Sequence, residues 1–555
     1  ASSHSDLALA FGAYVSGTEV ATLLNYGDIS ARANSAGWYA YAYGALVLGD
    51  AAGIGLLING GNISADASAT GGGTAFARGA YVTSEVATIF NDGSTTANAS
   101  SDGDGGMAVA SGAKIYGVNS AIFSYGDLTV SASANGYGSI ATAAGAYSFG
   151  ILDSSVYNAD DIHASASAIG GEASALGAGS IGYYFGSSVS NTETGTIVAE
   201  ATGDHAAATG LLNVSVVYGD AITTNEGSVS AAADGVLSAT AIGNYNFASY
   251  TASVLNSGTI TASADADTGF AVAYGVNNVS IQYSYLTNET GGVIGAVANA
   301  QDGYALAMGA YVSGGNLASL NSNGAISARS NSLTGDATAY GALVSGGYVG
   351  IGLLIKGGHH SADASAAGNA RATGAFVYAD VATIFNDNSI AATAATVDGQ
   401  AVATGAGVYA SNSAINNYGD LTASASASAG TAIAIGADSF GYSGASLYNS
   451  SDILADASAD GGLVSATGAS SVGIFIALAT NTGTISAEAP GGEASARGLY
   501  NASAFDAITV NEGSISAVAD GTLAGYGQYE AGAYGAYNLA LYYHSIVDNS
   551  RSLSS

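Results

Sequence analysis

The 555-residue sequence contains no cysteine, one proline and only 8 basic residues against 41 acidic ones. The lack of cysteine excludes disulfides and thiolate metal sites. The formal net charge of -33 has the wrong sign for nucleic acid or anionic lipid, so we expect neither as a partner. No run of about 18 large apolar residues is present, and we therefore expect no membrane insertion.

Large apolar side chains are also sparse, because much of the 48% hydrophobic content is alanine and the chain has 81 glycines. Such a composition cannot fill a thick globular core, yet it is too apolar for solvated disorder. A chain of this length exceeds the usual single-core domain. Small side chains packed in regular layers, as in a repeat protein, satisfy all three constraints.

A repeat is visible in the motif Asn-x-Gly-x-Ile-Ser-Ala, first seen at residues 25–31. Its apolar position, called the anchor here, recurs at intervals of about 30 to 38 residues. The 17 anchors are Ile29, Ile63, Thr95, Leu128, Ile162, Ile197, Val229, Ile260, Ile294, Ile326, His360, Ile390, Leu421, Ile453, Ile485, Ile515 and Leu553.

Two further landmarks keep phase with the anchor. A glycine, often followed by alanine, comes about 13 to 17 residues downstream, as at Gly44 and Gly79, and a short apolar run precedes each asparagine. Glycine, asparagine and aspartate separate these segments, which is typical of short strands joined by turns. The fold class predicted is all-β: a parallel β-helix, or β-solenoid, of about 17 coils of about 33 residues with three short strands each.

Alternation with period two indicates which face of each strand points inward. Ala40 and Ala42 align with Ala75 and Ala77 one coil later, whereas Arg78 falls on the opposite face. A charged guanidinium does not fit a thin core, so the alanine and glycine face points inward. We expect equivalent residues to stack as parallel ladders, with asparagine side chains stacked at one turn.

A second level of repetition relates residues 12–17 to 309–314 and 53–58 to 350–355, an offset of 297 residues or nine coils. This indicates duplication of a nine-coil block. We therefore predict a single continuous solenoid over 1–555, with one block at 1–303 and a slightly shorter one at 304–555.

The two ends of the sequence lie at complementary phases of the repeat. Joining Ser555 to Ala1 places Gly12 14 residues after Leu553, which is normal spacing for this repeat. One hypothesis is a homopolymer in which copies stack head to tail, each completing the open coil of the next; the alternative is a fragment of a longer solenoid. The predicted polymer interface comprises Ala1, Leu7, Leu9, Phe11, Ile546, Leu553 and Ser555.

Candidate binding sites are few. Asp102 and Asp104 have the alternating carboxylates of half a calcium loop, but this motif occurs once, and a solvated turn is the preferred interpretation. Turn acids including Asp127, Asp160 and Asp161 could also bind divalent ions weakly. His359 and His360 are adjacent on a strand and point to opposite faces, so they cannot chelate one metal together. We expect no cofactor beyond weakly bound calcium.

No nucleophile-base pair, phosphate loop or metal-ligand spacing occurs, and the basic residues are scattered. The sequence therefore predicts a protein that is not an enzyme. Outward tyrosines should form aromatic strips, which favour lateral bundling of copies, carbohydrate stacking or adhesion. The predicted strips contain Tyr41, Tyr43, Tyr81, Tyr183, Tyr184, Tyr542 and Tyr543.

The motifs at 256–262 (Asn-Ser-Gly-Thr-Ile-Thr-Ala) and 481–487 (Asn-Thr-Gly-Thr-Ile-Ser-Ala) resemble those of autotransporter passenger regions and related haemagglutinin-like adhesins of bacteria. The resemblance extends over essentially all 555 residues as a pattern. It implies export, display at the bacterial cell surface and a role in adhesion or biofilm matrix. We expect an extracellular structural solenoid that forms filaments; the alternative is an adhesin stalk that binds a glycan or a host surface.

Overall fold

The computed structural model describes residues 1–3, 6–50, 52–521, 531–549 and 553–554. It is a parallel β-solenoid of about 16 turns with 81% of residues in strands, which confirms the predicted fold class. The 17 anchors define 16 intervals between successive anchors, so the number of repeats in the sequence agrees with the number of turns in the structure. The described residues form 41 strands and no helix, and hence no apolar helix of membrane-spanning length.

The chain divides into two compact units, residues 1–280 and 281–555. The strands of the first unit are β1 (Ser2–Ser3), β2 (Leu7–Gly17), β3 (Val20–Asn25), β4 (Asp28–Ser35), β5 (Tyr39–Gly49), β6 (Ile54–Asn59), β7 (Asn62–Thr70), β8 (Thr74–Thr83), β9 (Val86–Asn91), β10 (Ser94–Asp102), β11 (Met107–Ser124), β12 (Leu128–Asn135), β13 (Ile140–Asn158), β14 (Asp161–Ile169), β15 (Glu172–Gly182), β16 (Gly186–Asn191), β17 (Thr196–Ser215), β18 (Asp220–Asn225), β19 (Ser228–Ala248), β20 (Thr251–Asn256) and β21 (Thr259–Ser280).

The second unit continues the same strand pattern. Its strands are β22 (Tyr283–Asn288), β23 (Val293–Gly314), β24 (Leu317–Ser322), β25 (Ala325–Ser332), β26 (Asp336–Gly346), β27 (Ile351–Lys356), β28 (His360–Ala366), β29 (Ala370–Asn386), β30 (Ile390–Thr396), β31 (Gln400–Asn417), β32 (Leu421–Ala427), β33 (Thr431–Asn449), β34 (Asp452–Gly473), β35 (Ile476–Asn481), β36 (Thr484–Ser503), β37 (Asp506–Asn511), β38 (Ser514–Gly521), β39 (Ala531–Ala540), β40 (Ser545–Asn549) and β41 (Leu553–Ser554).

Within each unit, strands pair in parallel with their equivalents one coil away. Ala40 pairs with Ala75, and the anchor Ile29 pairs with Ile63, as the alternation predicts. Segments that the sequence pattern predicts as two separate strands often form one continuous strand. β11 is an example, and its pairing register shifts at 117–119. Extended backbone therefore continues around a corner of the coil without a turn.

The interior of each coil is thin because glycine lies opposite the anchor. A Cβ atom on Gly145 would lie 2.2 Å from Cγ2 of Ile162 and 2.5 Å from the Gly177 carbonyl oxygen. Other glycines of this column meet an anchor in the same way, for example Gly374 against Ile390 at 2.3 Å. The absence of a side chain at the glycine makes room for a branched residue at the anchor.

A column of buried asparagines, called the asparagine column here, runs along one turn. In the first unit Asn25 Nδ2 donates to Asn59 Oδ1 at 2.7 Å, and Asn59 donates in turn to Asn91 at 2.8 Å. In the second unit Asn417 donates to Asn449, which donates to Asn481, at 2.7 and 2.9 Å. Each amide is both donor and acceptor, so the predicted stacking of asparagines at the turn is confirmed.

Adding a methyl group at the glycine column should be costly. We expect Gly145→Ala to destabilise the fold by about 1–3 kcal/mol, because the new Cβ overlaps Ile162 and a backbone oxygen. The check is the midpoint of thermal unfolding, with Gly27→Ala as the control, since a Cβ there meets nothing within 4 Å. Gly145→Ala should destabilise the protein less when Ile162 is also replaced by alanine, because the anchor side chain that the new Cβ overlaps is then smaller. If the effects of the two substitutions simply add, the proposed steric contact between the two residues is wrong.

Interrupting the asparagine column should also destabilise. Asn449→Ala leaves the Nδ2 group of Asn417 and the Oδ1 atom of Asn481 without this partner, and a buried unsatisfied polar group costs about 1–3 kcal/mol. The unfolding midpoint should fall well below that of Asn98→Ala, which removes an exposed hydrogen bond to Asp66. Equal midpoints for the two variants would show that the column contributes nothing.

Candidate functional site

The first coil presents an edge of the solenoid that is covered on one side only. Among the described residues, β2 pairs with β5 and β3 pairs with β6, and neither strand has a second partner. Leu7, Leu9 and Phe11 lie on the outward face of β2, where Phe11 is 45% exposed and stacks on Tyr43 with ring centroids 5.3 Å apart. Ala1 lies beside β4, and its amino group donates to the carbonyl of Arg32 at 2.6 Å.

The last described coil has a similarly open edge. β39 pairs with β36 and β40 with β37, with no second partner in the described part of the chain. Val547 is 48% exposed although its equivalent one coil earlier, Thr509, is 1% exposed and points into the core. An interior position is therefore partly open to solvent here, beside the outward residue Ile546, which is 47% exposed.

The remaining predicted interface residues are only partly described. The backbone of Leu553 pairs with Ile515, whereas Ser555 lies outside the described residues. The structure thus groups Leu7, Leu9 and Phe11 on one strand and places Ile546 on the edge strand β40. Together, the two edges expose apolar side chains and strands with one unpaired side.

Asp102 and Asp104, the candidate calcium ligands, make separate contacts with the next coil. Asp102 accepts a hydrogen bond from Asn135 Nδ2 at 2.9 Å, and Asp104 accepts one from the Tyr137 backbone N–H at 3.0 Å. Each carboxylate thus joins neighbouring turns through a hydrogen bond of its own.

A tighter acidic group is formed by Asp127, Asp160 and Asp161. Their carboxylate oxygens all lie within 4.8 Å of one another, which no other three described histidine or acidic side chains achieve. Partial burial raises the pKa of Asp127 above its ordinary value, and the charges of Asp160 and Asp161 raise it further. The sequence placed these acids at equivalent turns but did not identify them as one group.

The predicted aromatic strips are present in part: Tyr41 and Tyr43 lie in stacks, whereas Tyr81 and the pair Tyr183 and Tyr184 make edge-to-face contacts. Tyr41 stacks on Phe76 with centroids 5.1 Å apart, and Tyr409 lies between Tyr378 and Phe440 at 5.7 and 4.8 Å. Because the rings stack face to face along the coils, a ring inside a stack has both faces covered. Such stacks stabilise the outer surface, while their edges rather than their faces meet the solvent.

A groove of about 590 Å³ crosses five successive coils of the first unit. Asp153, Gly186 and Asp220 occupy equivalent positions in three of these coils, so the missing side chain of Gly186 opens a gap between two carboxylates. Phe185, at the same edge, is 64% exposed. The rest of the lining consists of serine and threonine hydroxyls, Asn119 and the apolar residues Val86, Ala87, Ala121 and Ile222, and it contains no basic residue.

The histidine pair is placed as the alternation predicted. His359 is exposed and its Nδ1 lies 2.6 Å from Ser389 Oγ, whereas His360 is buried at the anchor position. The two rings therefore face opposite sides of the strand.

Comparison of the chain with protein-family models, with curated proteins and with solved structures finds no match.

Proposed function

We propose that this chain is a structural, extracellular β-solenoid whose copies stack edge to edge into filaments. The observation that carries the proposal is the partly open core at β40 together with the one-sided edge of β2 and β3. Edge strands with unpaired backbone groups are templates for further pairing. A heterologous contact of this kind repeats without closing and yields a filament.

The repeat register specifies how two copies would pair. Counting from the strand pairings, Asn549 is equivalent to Asn511 and Asn25 belongs to the same asparagine column, so Asn549 of one copy would meet Asn25 of the next. The same register places Tyr534 over Phe11, continuing the stack of Phe11 on Tyr43. The contact would thus reuse the backbone pairing and side-chain columns that already join neighbouring coils.

The composition fits an exported structural protein. A lack of cysteine makes the fold independent of disulfide chemistry, and the net charge of -33 keeps the lateral surfaces of neighbouring copies apart. Surface display and a role in a matrix follow from the resemblance to passenger regions and belong to this proposal.

The filament proposal is tested by placing a charge in the contact. We expect wild-type protein to form filaments in electron micrographs, with light scattering that rises with concentration and with salt, because screening weakens the repulsion between acidic copies. Val547→Asp should prevent assembly, since the half-exposed side chain would become a buried, unpaired charge in the filament.

Ile546→Asp is the matched control for this experiment. Ile546 is adjacent and equally exposed but points outward, so its carboxylate would stay in solvent and assembly should continue. Monodisperse wild-type particles at high concentration, or filaments formed equally well by Val547→Asp, would refute the proposal.

The groove of the first unit supports a second candidate function, adhesion to a neutral glycan. Sugar hydroxyls donate to carboxylates such as Asp153 and Asp220, and an exposed aromatic ring such as Phe185 offers a face to the apolar side of a pyranose. The lack of basic residues in the lining disfavours anionic sugars.

A glycan array followed by titration tests the adhesion candidate. We expect saturable binding of a neutral oligosaccharide, weakened at least about tenfold by Phe185→Ala because the stacking contact is lost. Tyr137→Ala, which removes an exposed ring outside the groove, should bind like wild type. The absence of any saturable neutral ligand would exclude this function.

A further inference from the structure

One coil of the second unit replaces two interior residues with ionisable ones. Lys356, at the end of β27, occupies the asparagine-column position between Ser322 and Asn386. His360, at the start of β28, takes the anchor position between Ile326 and Ile390. Both side chains point inward: Lys356 is 0% exposed and His360 is 1% exposed.

The lysine amine is held against a carboxamide without a neutralising acid. Lys356 Nζ lies 3.2 Å from Asn386 Oδ1 and also donates to the Ser389 carbonyl. No ion pair between described residues includes it. The nearest titratable groups along the adjoining turns are His360, the exposed His359, and Asp387, whose backbone N–H donates to the Lys356 carbonyl.

Burial changes the protonation of both groups. It lowers the pKa of Lys356 to about 7, so a substantial fraction of the amine is uncharged and nucleophilic near neutral pH. Burial also lowers the pKa of His360 well below its usual value, and the charges of Lys356 and His359 act in the same direction. Both groups can thus be neutral together.

The carboxamide of Asn386 is fixed on both sides. Its Oδ1 accepts a hydrogen bond from the Asn388 backbone N–H at 3.3 Å, and its Nδ2 donates to Asn417 Oδ1 at 2.6 Å. The N–H contact polarises the carbonyl and would stabilise an oxyanion on that oxygen. At the asparagine positions of the column an amide nitrogen, which is not a nucleophile, occupies the place of the amine, and Ser124 and Ser322 place a hydroxyl there.

We propose that Lys356 Nζ and Asn386 Cγ form an intramolecular isopeptide bond with release of ammonia. The lone pair of the neutral amine attacks Cγ to give a tetrahedral intermediate. One proton moves from Nζ to Nδ2, the Cγ–Nδ2 bond breaks, and ammonia leaves. One C–N bond replaces another, so the step needs no oxidant, reductant or cofactor.

His360, whose ring interacts electrostatically with the Lys356 amine, would carry that proton. Neither of its ring nitrogens has a hydrogen-bond partner among the described residues, although the side chain is fully buried. A neutral imidazole accepts a proton at one nitrogen and donates from the other, which is the exchange that the step requires. This role gives a reason for an otherwise costly histidine in an apolar column.

Mass spectrometry of the full-length protein tests the bond. We expect the intact mass to be lower than the sequence mass by one ammonia, and a protease digest to contain a branched peptide that joins Lys356 to Asn386. Lys356→Arg and Asn386→Ala should each restore the mass expected from their sequence. Lys114→Arg changes the other lysine of the chain and should leave the bond in place.

Further measurements distinguish the isopeptide bond from other reactions that release ammonia and test the role of His360. A succinimide at an asparagine would persist in Lys356→Arg and would be cleaved by hydroxylamine, whereas the isopeptide would do neither. His360→Ile restores the residue type of neighbouring anchors, so the chain should fold while the bond forms much more slowly; formation at the wild-type rate would overturn the proton-carrier role. Folded wild-type protein that keeps its full sequence mass after incubation at about pH 9, where the amine is uncharged, would overturn the bond itself.

Discussion

The contact between the glycine column and the anchor column sets the dimensions of this fold. An added Cβ at Gly145 or Gly374 would lie within 2.3 Å of an anchor methyl group, so the two sides of the coil are as close as backbone and a branched side chain allow. The interior is consequently filled by alanine, glycine and a few branched residues per coil, such as Ile115, Ile122 and Leu128.

The asparagine column supplies hydrogen bonds to polar groups that are buried in this narrow interior. A buried turn leaves backbone groups that need partners, and an amide that donates upward and accepts from below can repeat from coil to coil without charge. Lysine at position 356 has donors only, so it satisfies Asn386 above it and cannot accept a hydrogen bond while it is charged. Its place in the column therefore favours the neutral amine, and with it a reactivity that asparagine does not have.

Much of the architecture could be predicted because the anchor spacing varies by only a few residues around a repeat of about 33 residues. The anchor spacing specified the register, so the pairing of Ala40 with Ala75 followed from counting residues. The long strands such as β11 were not predicted, since a corner made by extended backbone leaves no glycine or proline signal. The buried position of Lys356 was not predicted for a different reason. The sequence analysis followed the repeat through its apolar anchor positions, whereas the lysine replaces a residue of the asparagine column.

Charge favours the proposed assembly at the coil edges over lateral bundling. The net charge of -33 comes from an excess of acidic residues, and lateral contact between two copies would bring like charges together. The proposed edge contact would instead form between interior positions such as Val547, the asparagine column and backbone groups, all of which are uncharged. Each added copy would gain a complete coil interface, the same unit of stabilisation that already repeats along the chain. The acidic side chains that keep lateral surfaces apart would therefore direct growth of the proposed filament along the coil axis.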